Sequence, residues 1–262
     1  MSIINVNEIG TQSGTDVAIT TGKTVTGTAS QFKITGGSSG EFLKTDGSGG
    51  LSFDAAGGGL NSMQVFTTSG SWTRPTGITK VMVNVVSAGG AGGGGRTTYN
   101  YSGAGGSAGG SAMKLLDVSS ISTATITIAA AVTGGADNTG GADGGVTSWA
   151  DGTNTVTCNG GIGGDTGGES DNTNPPAVGS GGDINSAGGG GNQAYYNDST
   201  QMAQNMGPGG HSGFFGGPIG TQNQHSSDTA DSPGYGHGGS GGSINSTGGK
   251  SAPGIIWVLE YK

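Results

Sequence analysis

Apolar residues along the chain cluster in short segments that alternate with a period of two, as in β-strands. In the segment 80–86, KVMVNVV, every second residue is a valine, and Met82 and Val86 make the opposite face largely apolar as well. This pattern is typical of a strand that is covered on both faces. The segment 255–261, IIWVLEY, has the same character. Both segments are therefore predicted to be core strands.

Shorter apolar runs predict further strands over 63–68, 111–118, 124–130, 146–150 and 155–158. The sequence Gly70–Pro75, GSWTRP, is expected to form a turn that leads into the next strand. The apolar period of 3.6 residues that indicates helices does not extend over any useful length. The chain is therefore expected to be all-β, with a small β-sandwich whose strands lie within 63–86, 111–158 and 255–261.

Residues 1–60 are predicted to form a separate segment of short strands and turns. Small β-prone runs occur at 17–19 and 24–26, and another begins at Phe32. Asp46-Gly47 lies between alternating apolar residues, which is a strong hairpin signal. A linker is expected at 54–59, so that a second domain would occupy residues 61–262.

The N-terminal segment holds few apolar residues for a core of its own. Phe42, Leu51 and Phe53 are too few to close a core within one chain. Two interpretations stay open: three copies share these residues along a common axis, as a short trimeric β-shaft, or the segment is a flexible tether. The first predicts a homotrimer.

Glycine changes this picture, because it makes up 62 of the 262 residues, and 47 of those glycines lie between Gly89 and Gly254. In several places a glycine recurs at every third residue: 89, 92 and 95; 103, 106 and 109; 161, 164 and 167; 207, 210, 213 and 216; 236, 239 and 242. A polyproline II helix has three residues per turn, so such a spacing lines one edge with glycine and lets neighbouring backbones pair. The tract is expected to be a bundle of polyglycine II-type helices enclosed by the sandwich, and a flexible Gly/Ser coil is the alternative.

Three glycine-poor stretches interrupt the tract, at 96–102, 192–206 and 221–232. They are predicted to be loops at the ends of the bundle. Aromatic residues and methionines on such loops offer a large contact area at a small entropic cost. The candidate binding residues on these loops are Tyr99, Tyr101, Tyr195, Tyr196, Met202, Met206 and His225. The alternative is that some aromatic residues cap the bundle as a local core, which is the interpretation favoured for Phe214 and Phe215.

Charge and composition exclude several classes of function. The formal net charge of -8 argues against a nucleic-acid partner, and no segment is apolar enough to insert into a membrane. Residues 1–10 lack a basic region followed by an apolar run, so no secretory signal is expected. The single Cys158 cannot form an intramolecular disulfide.

Catalytic and metal sites are not indicated either. His211, His225 and His237 are widely spaced, and the acidic residues between 165 and 171 do not match a calcium loop. Asp117 and Glu260 are carboxylates on predicted strands, but nothing pairs them as glycosidase carboxylates would be paired. We expect no enzymatic activity, no cofactor and no metal.

The order of several sequence pieces resembles a known family. Residues 63–262 look like the glycine-rich C-terminal domain of bacteriophage tail-fibre and receptor-binding proteins, through FTTSGSWTRP (66–75), VMVNVVSAGGAGGGG (81–95), GGVTSW (144–149), CNGG (158–161) and GGKSAPGIIWV (248–258). Residues 1–60 resemble a segment of tail-fibre shafts, most clearly in GEFLKTDGSG (40–49).

The resemblance implies a phage adhesin of the polyglycine II type that is a component of the virion. Its N-terminal segment would trimerise or join other tail proteins, and its loops would bind a protein or glycan on the bacterial outer surface. No catalytic residues belong to that pattern. The alternative is a purely structural fibre of tail or capsid whose receptor contact is made by another protein.

Overall fold

The computed structural model describes residues 36–48, 50–55, 59–97, 101–166, 174–192, 210 and 234–262. The chain divides into two compact units, Met1–Gly57 and Gly58–Lys262. Within the described residues all regular structure is β-structure, and every strand pairing is antiparallel. The predicted all-β class is confirmed. The β-prone runs expected at 17–19, 24–26 and from Phe32 lie outside the described residues.

The described part of the first unit is a hairpin of β1 (Glu41–Thr45) and β2 (Leu51–Ala55). Asp46 organises its turn, because its carboxylate accepts hydrogen bonds from the backbone N–H groups of Ser48 and Gly50 at 2.7 and 2.9 Å. Gly47 has a φ of +79°, which a glycine adopts without a steric cost. The predicted hairpin at Asp46-Gly47 is confirmed.

The second unit contains two five-stranded sheets. In the first sheet the spatial order is β11 (Ile184–Ser186), β6 (Ser111–Asp117), β5 (Lys80–Val86), β12 (Ile255–Tyr261) and β3 (Leu60–Phe66). In the second sheet it is β10 (Gly179–Ser180), β9 (Thr155–Cys158), β8 (Thr147–Ala150), β7 (Thr123–Thr127) and β4 (Gly70–Thr73).

One hydrophobic core joins the two sheets. The valines of β5 at 81, 83 and 85 are fully buried, as the period of two predicts. They share the core with Trp72 and Trp149 of the second sheet, whose ring centroids are 5.1 Å apart. Contact between tilted aromatic rings adds to the stabilisation from their burial. The two sheets therefore form a sandwich around this cluster.

A buried carboxylate also connects the sheets. Glu260 on β12 is fully buried, and its side chain accepts hydrogen bonds from Ser62 (2.6 Å), Gln64 (2.7 Å) and the indole N–H of Trp72 (2.8 Å). Ser62 and Gln64 belong to β3, whereas Trp72 belongs to β4 in the opposite sheet. These donors satisfy a group that would otherwise be costly to bury.

The glycine-rich segments continue from one end of the sandwich. The paired residues Ile255, Val86 and Ser111 lie at the same end of the first sheet, and glycine-rich sequence adjoins each of them. In the second sheet Thr147 pairs with Cys158 at an end where glycine-rich sequence again adjoins both. The sandwich thus extends into the glycine-rich region, whereas the sequence predicted that it would enclose that region.

Two further expectations differ from the structure. The described residues include no helix, so a helix bundle is not supported; the glycine-rich segments are held by backbone hydrogen bonds between segments. The expected turn at Gly70–Pro75 contains β4, which pairs with β7 because burial of Trp72 places this stretch against the second sheet. The short strands β10 and β11 were not predicted, because two or three residues carry no readable period.

Candidate functional site

The glycine-rich region is organised around the segment 87–96, which follows β5. Its backbone N–H groups donate in a strict rotation to three antiparallel neighbours. Residues 87, 90, 93 and 96 donate to 110, 107, 104 and 101; residues 89, 92 and 95 donate to 252, 249 and 246; residues 91 and 94 donate to 142 and 139. Successive donors thus bond to different neighbours, and the same neighbour recurs every third residue.

Three further neighbours run parallel to the same segment and donate to its carbonyl groups. Residues 161 and 164 donate to 88 and 91; residues 239 and 242 donate to 90 and 93; residues 135 and 138 donate to 92 and 95. Segment 87–96 is thus surrounded by six neighbouring segments. This arrangement satisfies buried backbone groups without a β-ladder.

Close backbone approach explains the glycine at every third residue. A Cβ atom added to Gly89, Gly92 or Gly95 would overlap the carbonyl oxygen of His237, Ser240 or Ser243, respectively. The obstructing atoms belong to one segment and also recur at every third position. Each obstructing atom belongs to the backbone, so it cannot move aside as the end of a flexible side chain could. The period-three spacing seen in the sequence is therefore a packing requirement.

The end of this region that lies away from the sheets carries a cluster of polar turns. The Thr97 hydroxyl lies 2.7 Å from Asp137 Oδ2 and 3.1 Å from Asn245 Oδ1. Asn138 donates to the same Asp137 oxygen at 2.8 Å. Asn138 and Asn245 have left-handed φ values of 61° and 66°, a conformation that asparagine tolerates in turns. We call Thr97, Asp137, Asn138 and Asn245 the turn cluster.

One oxygen of the turn cluster has no hydrogen bond among the described residues. Asp137 Oδ1 is buried without a partner, although the residue as a whole is half-buried. Buried polar atoms are normally hydrogen-bonded, so this oxygen can still accept a bond from a further donor. The turn cluster was not predicted from the sequence, because Thr97, the pair Asp137-Asn138 and Asn245 are far apart along the chain. The asparagines that follow glycine-rich runs were the one available signal.

Tyr101 is the candidate binding residue that the structure describes. It is half-buried, and its backbone N–H and carbonyl pair with those of Arg96 at 3.2 and 2.8 Å. This bridge closes the loop 96–101 next to Thr97, so Tyr101 lies at the same end as the turn cluster. The other six candidates, Tyr99, Tyr195, Tyr196, Met202, Met206 and His225, lie outside the described residues, as do Phe214 and Phe215.

Residues 189 and 192 pair with 108 and 105, so this segment runs antiparallel to 105–108 and toward the same end. The Asn192 carbonyl accepts a hydrogen bond from Gly105, and the Asp165 carbonyl accepts one from the neighbouring Ala104. Both acceptors precede stretches outside the described residues, 193–209 and 167–173. Tyr195 follows Asn192 by three residues. Asn192, the last described residue before Tyr195, therefore lies beside Gly105.

Other chemistries find little support in the described part of the chain. No group of three His, Cys, Asp or Glu side chains converges there as metal ligands would. No described residue belongs to a helix with the length and hydrophobicity of a membrane span. Asp117 is exposed on β6, whereas Glu260 is buried on β12, and no contact joins the two carboxylates.

The shifted pKa values of Cys158 and Asp151 have structural causes. Burial raises the pKa of the Cys158 thiol to about 12, so this cysteine is an inert core residue. Partial burial alone would raise the pKa of Asp151, but hydrogen bonds from the backbone N–H groups of Asn154 and Thr153 lower it below its ordinary value. Asp151 thereby closes the turn between β8 and β9.

Comparison with known proteins identifies one relationship. The model of a family described as a glycine-rich domain matches residues 64–261. The match covers the whole sandwich except the start of β3, together with every glycine-rich segment described above. No curated protein matches the chain.

Proposed function

The chain belongs to the glycine-rich domain family, and the turn cluster lies at one end of its glycine-rich region. We propose that this protein is a non-catalytic adhesin. In this proposal it is a component of a bacteriophage tail fibre and attaches the virion to a receptor on the bacterial surface. The receptor is a protein or a glycan, and it binds to the loops at the turn-cluster end. The observation that carries the proposal is the convergence of loop 96–101 and the turn cluster at one end of a rigid base.

The base itself supports this assignment. We infer that the glycine-rich segments have polyglycine II-type geometry, because the N–H donors of segment 87–96 return to the same neighbour every third residue. At about 3.1 Å per residue, ten residues beyond Val86 would place Arg96 roughly 30 Å from the sheet. A stiff extension of this length presents loops to a large target and keeps their ends fixed.

The loop residues suit a recognition surface. Tyrosines bring a large amphipathic area and few rotatable bonds, and they are enriched among residues that dominate binding energy. Within the described residues, the turn cluster also offers hydroxyl, amide and carboxylate groups that can hydrogen-bond to a sugar or a peptide. The candidate surface is Tyr101 with Tyr99, Tyr195, Tyr196, Met202, Met206 and His225.

The first unit supports a role in assembly. Phe42, Leu43 and Leu51 on its hairpin are 47%, 39% and 64% exposed. Among the described residues of this unit only β1 and β2 support each other, and a two-stranded hairpin by itself is marginally stable at best, so a partner for these side chains would stabilise it. We propose that three copies share them as a trimeric shaft, through which the fibre joins other tail proteins.

Binding to whole cells tests the adhesin proposal. Fluorescently labelled full-length chain is applied to a panel of bacterial strains, and a strain that retains it is used for the variants. Tyr195→Ala combined with Tyr196→Ala, and separately Tyr101→Ala, are expected to weaken binding at least tenfold, the usual effect of removing a dominant contact residue. Val146→Ala removes an exposed apolar side chain directly before β8 and is expected to bind as the parent chain does.

The outcomes separate the adhesin from its alternative. Undiminished binding by both loop variants contradicts the loop assignment. Failure of the parent chain to bind any strain favours a purely structural fibre of tail or capsid. That alternative gains direct support if particles imaged with this protein show its loops covered by other subunits.

A further inference from the structure

Three oxygen atoms of the turn cluster lie together with a single hydrogen between them. The Thr97 hydroxyl is 2.7 Å from Asp137 Oδ2 and 3.1 Å from Asn245 Oδ1. A hydroxyl carries one hydrogen, so it can donate to one of these two oxygens but not to both. The remaining oxygen then faces a lone pair of the hydroxyl. A positive charge beside the three oxygens would relieve this repulsion.

The carboxylate of Asp137 also has no cationic partner among the described residues. Its Oδ2 accepts hydrogen bonds from Thr97 and Asn138, whereas its Oδ1 is buried without a hydrogen bond. The ion pairs formed within the described part of the chain do not include Asp137. A carboxylate that is partly removed from water normally pairs with a cation or coordinates a metal ion.

We propose that the turn cluster binds a calcium ion through the side-chain oxygens of Thr97, Asp137 and Asn245. Carboxylate and amide oxygens are ligands that calcium prefers, and a hydroxyl oxygen that donates its hydrogen elsewhere keeps lone pairs for a cation. With Ca–O distances of about 2.4 Å and pentagonal geometry, neighbouring ligand oxygens lie about 2.8 Å apart. The spacings of 2.7 and 3.1 Å in the turn cluster are close to this value.

The position of the turn cluster allows an ion to enter from solvent. Thr97 and Asn245 are exposed, and Asp137 is half-buried, so water molecules can complete the coordination shell. The formal charge of -8 attracts cations to the chain as a whole. A site with one carboxylate and few protein ligands is weak, and we expect a Kd of about 10⁻⁴–10⁻³ M. A single carboxylate also leaves no acidic motif in the sequence.

A shared ion would connect turns that are distant along the chain. Thr97 directly follows segment 87–96, whereas Asp137 and Asn245 lie in two other turns at the same end. The unfolded chain does not hold these three side chains together, so the ion binds the folded chain preferentially and stabilises it. The site therefore goes beyond receptor binding, because it fixes the end of the glycine-rich region in the isolated protein.

Thermal unfolding of the full-length chain tests the site. The protein is freed of metal with EDTA, dialysed and titrated with calcium chloride, and sodium chloride keeps the ionic strength constant. At about ten times the Kd, calcium is expected to raise the Tm of the second unit by about 3–6 °C. Magnesium chloride should raise it less, because magnesium requires a nearly ideal octahedron and loses its water reluctantly.

Neutralising the carboxylate is the direct variant. Asp137→Asn is expected to abolish the calcium-dependent rise in Tm, because it removes the negative charge of the site. Asp117→Asn is the matched control, since it makes the same change in charge at an exposed position of β6. It should retain the full rise.

Adding a carboxylate gives the opposite result. Asn245→Asp is expected to lower the Tm in EDTA, because two carboxylates then face Thr97, and to lower the Kd for calcium at least about threefold. In an alternative arrangement the Asn245 amide N–H donates to Thr97 and no ion binds. Asn245→Asp would then lower the Tm equally with and without calcium.

Three results would overturn the proposal. The first is a Tm of the parent chain that calcium does not change. The second is a full rise in the Asp137→Asn chain, which would place calcium elsewhere. If that chain fails to fold, an unchanged Kd of the Asn245→Asp chain is the third. No measurement involves cells, so failure of this proposal and failure of the adhesin proposal are distinguishable.

Discussion

Single residues show how much of this molecule depends on satisfying buried polar groups. Glu260 is among the largest fully buried side chains, and its carboxylate accepts three hydrogen bonds. Its residue type could be read from the sequence, but its burial could not. Strand alternation places Glu260 on the same face as the core residues Ile256 and Val258, and the donors that make this tolerable come from β3 and β4.

Replacement of Glu260 by leucine is expected to destabilise the second unit by about 2–4 kcal/mol, because the buried donors of Trp72 and Gln64 lose their acceptor. The free energy of unfolding from urea titration is the measurement. Glu41→Leu, on the exposed hairpin, is the comparison and should leave the second unit unchanged. Equal stability of the Glu260→Leu chain and the parent chain would contradict the bridging role.

At the scale of elements, the glycine-rich segments differ from the strands of the two sheets in how they are hydrogen-bonded. Each segment exchanges hydrogen bonds with several neighbours, and a sheet strand exchanges them with two at most. Hydrogen bonding to several neighbours requires the neighbouring backbones to approach the segment closely on every side. The sequence predicted the close approach and the period of three, and both are confirmed by the backbone contacts of Gly89, Gly92 and Gly95.

Gly92→Ala is expected to destabilise the second unit by more than about 3 kcal/mol, because the added methyl group overlaps the Ser240 carbonyl in a region that cannot yield. Gly70→Ala at the start of β4 is the matched control, since nothing lies within 4 Å of its added methyl group. The two variants are compared by thermal unfolding. A similar Tm for both would show that the segments are not packed as described.

At the scale of the whole molecule, the sandwich and the glycine-rich region form one continuous unit. Strands β5, β6 and β12 lead directly into glycine-rich segments at the same end of their sheet. The glycine-rich segments are therefore anchored by strands of the hydrophobic core. A flexible Gly/Ser coil would give the loops no fixed positions.

Hydrogen exchange distinguishes these two arrangements. The amides of Gly90, Gly92 and Gly93 are expected to exchange as slowly as those of β5, because their hydrogen bonds open only when neighbouring segments separate. The amide of Gly59, outside this network, serves as the fast-exchanging reference. Mass spectrometry of proteolytic fragments measures both. If the amides of segment 87–96 exchanged as fast as the reference amide, the segment would not be held in an ordered network.

The sequence by itself determined the elements whose pattern is local. The alternation at 80–86 and 255–261, the Asp46-Gly47 hairpin and the glycine period each reflect a rule that acts within a few residues. Strands 80–86, 155–158 and 255–261 accordingly agree with the structure to the residue. The shaft, the virion and the receptor rest on resemblance and stay proposals.

Only the tertiary structure decided which distant residues meet. Trp72 lies in a stretch whose local signal indicated a turn, yet its burial against Trp149 makes that stretch a strand. Thr97, Asp137 and Asn245 come together although the second and third are more than a hundred residues apart. The physical reason is the same in each case: burial and hydrogen bonding between segments depend on chain topology, which local periodicity does not specify.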